Sequence, residues 1–95
     1  MEFRRTLEFK DNFKSLSEVY QKYINDAFPY VSDALEGNGD LYKKFKIKKM
    51  RGHPDVWEGH IKYNLCFTFH YEKGGNGEKI CFFRRIGTHD IYNKP

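Results

Sequence analysis

Three side chains in this 95-residue chain are of the types needed to break a phosphodiester: His60, Arg85 and His89. Arg85 and His89 stand four positions apart in Arg84-Arg85-Ile86-Gly87-Thr88-His89, where an apolar strand runs into a turn. A guanidinium is always charged, and its planar fork matches a phosphate. An imidazole titrates near neutral pH and can give or take a proton. The pair points to acid–base chemistry at a phosphate. Upstream, Lys43-Lys44-Phe45-Lys46-Ile47-Lys48-Lys49-Met50-Arg51 holds six cations and no acid, which suits a polyanion.

These residues need a scaffold, and the apolar spacing outlines one. Phe3 to Phe9 reads as a first strand, closed by Lys10-Asp11-Asn12. Phe13, Leu16, Val19, Tyr20, Tyr23 and Ile24 fall at helical spacing, which predicts an amphipathic helix over Asp11–Asp26 with Asp11 or Asn12 as its cap. Pro29 can open a second helix carrying Tyr30, Val31, Ala34 and Leu35, stopped at Gly37-Asn38-Gly39. In the lysine run, Phe45 and Ile47 alternate with cations, so an extended piece turns two apolar side chains inward. From Trp57 the period becomes two. Strands are expected over Trp57–Ile61, Leu65–Tyr71 and Lys79–Ile86, with Lys62-Tyr63-Asn64 and Gly74-Gly75-Asn76-Gly77 as turns. The expected fold class is α+β: a small, mainly antiparallel twisted sheet (strand, helix, helix, three-strand meander) with two helices on one face, all in a single domain over residues 1–95.

Centring the glycine-rich turn near Gly75 and Asn76 sets Cys66 opposite Arg85 and His70 opposite Cys81. Centring the other turn on Tyr63 sets His60 opposite Cys66. Period two then gathers His60, Cys66, Thr68, His70, Cys81 and Arg85 on one face, and Phe67, Phe69, Ile80 and Phe82 on the face that helices cover. Each residue also has an ordinary use. Arg85 can be a rim cation, His60 a surface residue and His89 a turn residue. His53 reads as a loop residue and His70 as structural. Trp57 and Tyr92 read as packing residues, though either could stack on a base. Asp55, Glu58 and Asp90 lie near the site, but none has the paired arrangement of two-metal catalysis, so no metal or cofactor is expected.

The bulk numbers fit such a domain. Hydrophobic residues make up 39% and aromatic residues 18%, so the core must be built largely from rings. Mean hydropathy is −0.83 and no apolar stretch reaches membrane-spanning length. The net charge of +4 is uneven: residues 46–95 carry ten Lys/Arg against five Asp/Glu, while residues 1–45 carry seven against eight. The basic half is the one expected to meet a polyanion. Cys66 and Cys81 match no metal-ligand spacing and read as reduced core thiols. Met1-Glu2-Phe3-Arg4-Arg5 has no apolar run behind it, so no signal peptide and a cytoplasmic location are expected.

Met50-Arg51-Gly52, Trp57-Glu58-Gly59-His60-Ile61, Leu65 to Tyr71 and Arg85-Ile86-Gly87-Thr88-His89 together resemble the RelE/ParE superfamily of bacterial type II toxins, and within it the YafQ-like branch. The resemblance covers about the last 50 residues, and the Arg-x-Gly-Thr-His ending is its most specific part. It implies a metal-independent, ribosome-dependent mRNA endonuclease held inactive by a cognate antitoxin, with His60, Arg85 and His89 at catalytic positions. The 2′-hydroxyl of the RNA would be the nucleophile, His60 the base and His89 the acid, or the reverse, and Arg85 would hold the scissile phosphate. RNA-binding residues would be Lys46, Lys48, Lys49, Arg51, Asn64 and Tyr92. The chain departs from the branch in two places: Asn64 replaces an acidic residue four places after the first His, and Lys48 replaces a further upstream His. An amide cannot act as a base, so fewer groups are left for proton transfer. A rival reading is a ParE-like toxin that binds DNA gyrase and cleaves nothing; another is a non-toxic partner of an antitoxin.

Overall fold

A computed structural model of the chain describes residues 1–95. The elements run β1 (Glu2–Arg5), α1 (Leu7–Ser15), α2 (Glu18–Leu35), α3 (Gly39–Lys44), β2 (Lys48–Lys49), β3 (Trp57–Lys62), β4 (Leu65–Lys73), β5 (Lys79–Gly87) and a closing 3-10 helix (His89–Asn93). The strands form one five-stranded sheet in the order β1-β5-β4-β3-β2. β1 pairs with β5 in parallel and every other pair is antiparallel. The α+β class and the mainly antiparallel sheet match the expectation from sequence. No helix is long and apolar enough to cross a membrane.

The first strand is shorter than Phe3–Phe9, because Thr6 starts a helix. Its hydroxyl oxygen accepts the Phe9 N–H at 3.1 Å and its O–H donates to the Arg84 carbonyl at 2.8 Å. The break between helices falls at Leu16-Ser17 rather than near Pro29. Leu16 is extended, and Ser17 caps α2 by accepting from the Tyr20 N–H. Gln21 then donates its amide to the Leu16 carbonyl and to that of Phe13, which also accepts the Leu16 N–H, at the end of α1. Pro29 lies inside α2. Ile24, Phe28, Val31, Ala34 and Leu35 form one buried stripe across it, while Pro29 and Asn25, whose backbone bond the proline deletes, are both exposed. Continuity of the buried stripe outweighs the missing bond.

Fourteen buried residues form the core between the helices and one sheet face. Its centre is aromatic: Phe28 lies 4.8 Å from Phe83, 5.6 Å from Phe9 and 5.8 Å from Phe67, centroid to centroid. Phe45 and Ile47 are buried as expected, but not along an extended piece: Lys43 and Lys44 end α3, Lys46 turns left-handed (φ 52°), and only Lys48–Lys49 is a strand. The backbone fits closely at Gly59, where an added Cβ would stand 2.3 Å from a Phe67 ring carbon.

The β4–β5 register differs from the turn-based expectation. Cys66 pairs with Gly87 instead of Arg85, and His70 pairs with Phe82 instead of Cys81. The register shifts between Thr68 and Phe69, where Arg84 is the extra residue on β5. Cys81 and Phe83 therefore face the helices, and Phe82 stands beside His70 on the open face. Past the bulge the phase is restored, so Arg85 faces the same side as Thr68 despite the different pairing.

Candidate active site

The open sheet face carries two cross-strand rows of side chains. Lys48 on β2, Glu58 on β3, Thr68 on β4 and Arg85 on β5 are successive partners in one row. His60, Cys66 and Gly87 form the next. Strands lie about 4.8 Å apart, so each row sets its members at fixed steps across the sheet. His60 is anchored by its backbone N–H, which donates to the Phe45 carbonyl at 2.7 Å.

The 3-10 helix folds back over the second row. Ile91 is its buried foot, and Gly87 leaves room for it: an added Cβ there would meet Ile91 at 3.1 Å. This fold-back brings two further rings to His60. The His89 and Tyr92 rings stack with centroids 5.4 Å apart, and His89 meets His60 edge-on at 5.9 Å. The Tyr92 hydroxyl lies 3.3 Å from His60 Nε2 and 3.4 Å from Glu58 Oε1, and that carboxylate oxygen is 3.6 Å from His60 Nε2.

Glu58 is the group that sequence reasoning passed over. It is only 8% exposed, and Lys48 Nζ stands 4.0 Å from Oε1 as its nearest cation. The signal for it was available: Glu58 and His60 are two apart on one strand and so share a face. Pairing is present, but between a carboxylate and an imidazole rather than between two carboxylates. The Tyr92 hydroxyl donates its one proton to Glu58, so in this arrangement His60 Nε2 carries the ring proton and donates to the Tyr92 oxygen, and Nδ1 is left as the basic nitrogen. Burial, with Cys66 and Glu58 alongside, pushes the Tyr92 hydroxyl well above the usual tyrosine range, so it stays a donor. Burial also raises the Cys66 thiol, whose Sγ donates to the Gly87 carbonyl at 3.4 Å.

Arg85 is held on the same face but away from the rings. Its Nε donates to Asn12 Oδ1 of α1 at 2.8 Å and its Nη1 to the Lys94 carbonyl at 3.1 Å. Of the expected RNA-binding residues, Lys48 and Tyr92 join the cluster. Lys49 points the other way, its ammonium 5.6 Å from the Trp57 ring centre, because alternation sends adjacent residues to opposite faces. Lys46 lies in an exposed left-handed turn (φ 52°) and Arg51 in an exposed turn after β2. Asn64 is apart from the cluster: it accepts from the Tyr20 hydroxyl of α2 at 3.4 Å. No three His, Cys, Asp or Glu side chains gather closely enough to hold a metal ion. Arg85 lines a cavity of about 280 Å³, whereas His60, His89 and Tyr92 line none.

Solved structures that include toxins share this overall fold. The chain superposes on a YoeB/ParE toxin from Agrobacterium tumefaciens with TM-score 0.58 and 17% identity, covering 94% of this chain and 99% of that one. It superposes on a chain of the RelB-RelE antitoxin-toxin complex from Methanococcus jannaschii with TM-score 0.59 and 19% identity, covering 99% and 96%. A conserved hypothetical protein from Helicobacter pylori gives TM-score 0.55 and 19% identity over 97% and 98%. The fold is thus the one shared by RelE- and ParE-type toxins. No protein-family model matches the sequence, and no curated protein matches it.

Proposed function

We propose that this chain is the toxin of a type II toxin–antitoxin pair, YafQ-like in branch, and that it cleaves ribosome-bound mRNA in the cytoplasm without a metal. The observation that carries the reading is the Glu58–His60–Tyr92–His89 cluster, which shares an open face with Arg85. His60 Nδ1, with its other nitrogen turned to Glu58 and Tyr92, accepts the proton of the RNA 2′-hydroxyl. The resulting alkoxide attacks the adjacent phosphorus. Arg85 exchanges the Lys94 carbonyl for a phosphate oxygen and stabilises the charge that develops there. His89, exposed and held against Tyr92, donates a proton to the leaving 5′-oxygen. The products are a 2′,3′-cyclic phosphate and a 5′-hydroxyl. Glu58 supplies the negative charge that Asn64 cannot.

The flatness of the site supports ribosome dependence. No cavity encloses the three rings, so an external scaffold that presents the strand would help to align it for attack. The fold shared with a chain of the RelB-RelE antitoxin-toxin complex supports a cognate antitoxin. An acidic segment of that partner would complement the basic open face. Inducible expression in bacteria tests the reading. Wild type is expected to arrest growth and leave new mRNA 5′ ends at defined codons, and His60→Ala and His89→Ala are expected to do neither. Growth arrest that survives both substitutions, with no new ends, would favour the gyrase-binding alternative.

A further inference from the structure

The open face carries a second group that this reaction does not use. His70 on β4 and Phe82 on β5 are cross-strand partners whose rings stack at 5.2 Å with 10° between planes. Arg4 on β1 extends the row, its guanidinium 5.9 Å from the Phe82 centroid. Arg84 Nη1 lies 3.1 Å from His70 Nδ1, and Glu72 Oε2 lies 2.7 Å from His70 Nε2. A guanidinium only donates, so Nδ1 accepts and Nε2 carries the proton given to Glu72. The ring is fixed in tautomer and orientation, like a built platform rather than a loose surface histidine.

His70 lines two cavities. The smaller, about 280 Å³, is lined by seven residues with no hydrophobic one among them, and it sets Arg84, Arg85 and Lys94 against the Glu8 carboxylate and the oxygen of the last residue, Pro95. Backbone oxygens partly fill its donors: Arg84 Nε and Thr68 Oγ1 both donate to the Pro95 oxygen at 3.0 Å, and Arg85 Nη1 donates to the Lys94 oxygen. The larger, about 500 Å³, lies on the β3 side of His70, with Lys49, Pro54, Asp55 and Trp57 around it. One cavity is therefore cationic and already coordinates oxygens. The other is bounded by an oriented aromatic ring with polar acceptors nearby.

We propose that His70 and Arg84 form a second nucleotide subsite on the RNA path. The phosphate takes the place of the Pro95 oxygen against Arg84, and the base stacks on the outer face of His70 in the larger cavity. The bulge gives the placement its logic. It sets two consecutive arginines on the open face, so Arg85 serves the scissile phosphate and Arg84 its neighbour. The inference rests on the nuclease reading, since the ligand is the same RNA strand.

The test is binding of a fluorescein-labelled six-nucleotide RNA, 2′-O-methylated to prevent cleavage, to the full chain over a salt series. Arg84→Gln is expected to weaken binding about ten-fold and to lower the salt slope by roughly 0.7, as one lost phosphate contact on a single strand should. His70→Leu is expected to weaken binding about ten-fold with the slope unchanged, as a lost stack should. Wild-type affinity and slope in both variants, with ribosomal mRNA cleavage intact in the wild type, would overturn the subsite alone. No RNA binding and no cleavage by the wild type would overturn the nuclease reading and the subsite with it. Loss of polyglutamate binding by Arg84→Gln with RNA binding unchanged would give the pocket to an acidic protein partner and overturn it.

Discussion

In the proposed reaction, Glu58, His60, His89 and Tyr92 each have a distinct part. Tyr92 links the two histidines to the carboxylate: its hydroxyl reaches Glu58 and His60, and its ring carries His89. Tyr92→Phe keeps the stack and removes the hydroxyl bridge. The mRNA cleavage rate is then expected to fall roughly ten-fold, the size of one hydrogen bond to a charged group, and His89→Ala to cost about 10²- to 10⁴-fold, the usual worth of a general acid. Single-turnover cleavage measures both. Equal losses in the two variants would mean that Tyr92 does more than orient its neighbours. Much of this cluster was legible in the sequence: the types and spacing of His60, Arg85 and His89 put them on or beside one face. Spacing alone puts Glu58 on the face of His60, but its link to His89 through Tyr92 depends on the fold-back of the 3-10 helix, for which Gly87 leaves room beside Ile91.

Among the elements, strand periodicity was the reliable guide and helix boundaries were the weak one. Alternation placed β3, β4 and β5, whereas Phe45 and Ile47 reach the core from the end of α3 and the turn that follows it. Hairpin symmetry gave the wrong β4–β5 pairing, since a one-residue bulge at Arg84 leaves no mark in an alternating pattern. Pro29 was read as a helix start, although an exposed proline between buried Phe28 and Val31 can ride through a helix whose apolar stripe continues. The sheet offers a direct check at Gly59, which sits between Glu58 and His60. An added methyl would meet the Phe67 ring at 2.3 Å, so Gly59→Ala is expected to destabilise the fold by about 1–3 kcal/mol in a urea titration. An unchanged midpoint would mean that β3 and Phe67 are looser than described.

For the molecule as a whole, burial of acidic protons dictates a pH limit. Burial raises Tyr71 from 10.0 to about 12 and Cys81 from 9.0 to about 12, and it raises Cys66 and Tyr92 as well. These groups hold their protons in the folded state to higher pH than in the unfolded one. Their stabilising contribution is complete below the unfolded values and is lost as pH rises toward the folded ones. The melting temperature is therefore expected to drop steadily from about pH 9 upward, and less steeply in Cys81→Ala. A flat profile would contradict the burial of these groups. On the proposed reading, the net charge of +4 and the absence of a cavity around His60, His89 and Tyr92 suit a strand that is presented to the site rather than captured in a cleft. The most direct measurement of that claim incubates purified chain with translating ribosomes and end-labelled mRNA. The account predicts cuts in ribosome-bound mRNA that leave 2′,3′-cyclic phosphate and 5′-hydroxyl ends, few or none in free mRNA, and strong loss in Glu58→Gln, His60→Ala and His89→Ala. Cleavage unchanged in all three variants, or none by the wild type, would contradict it.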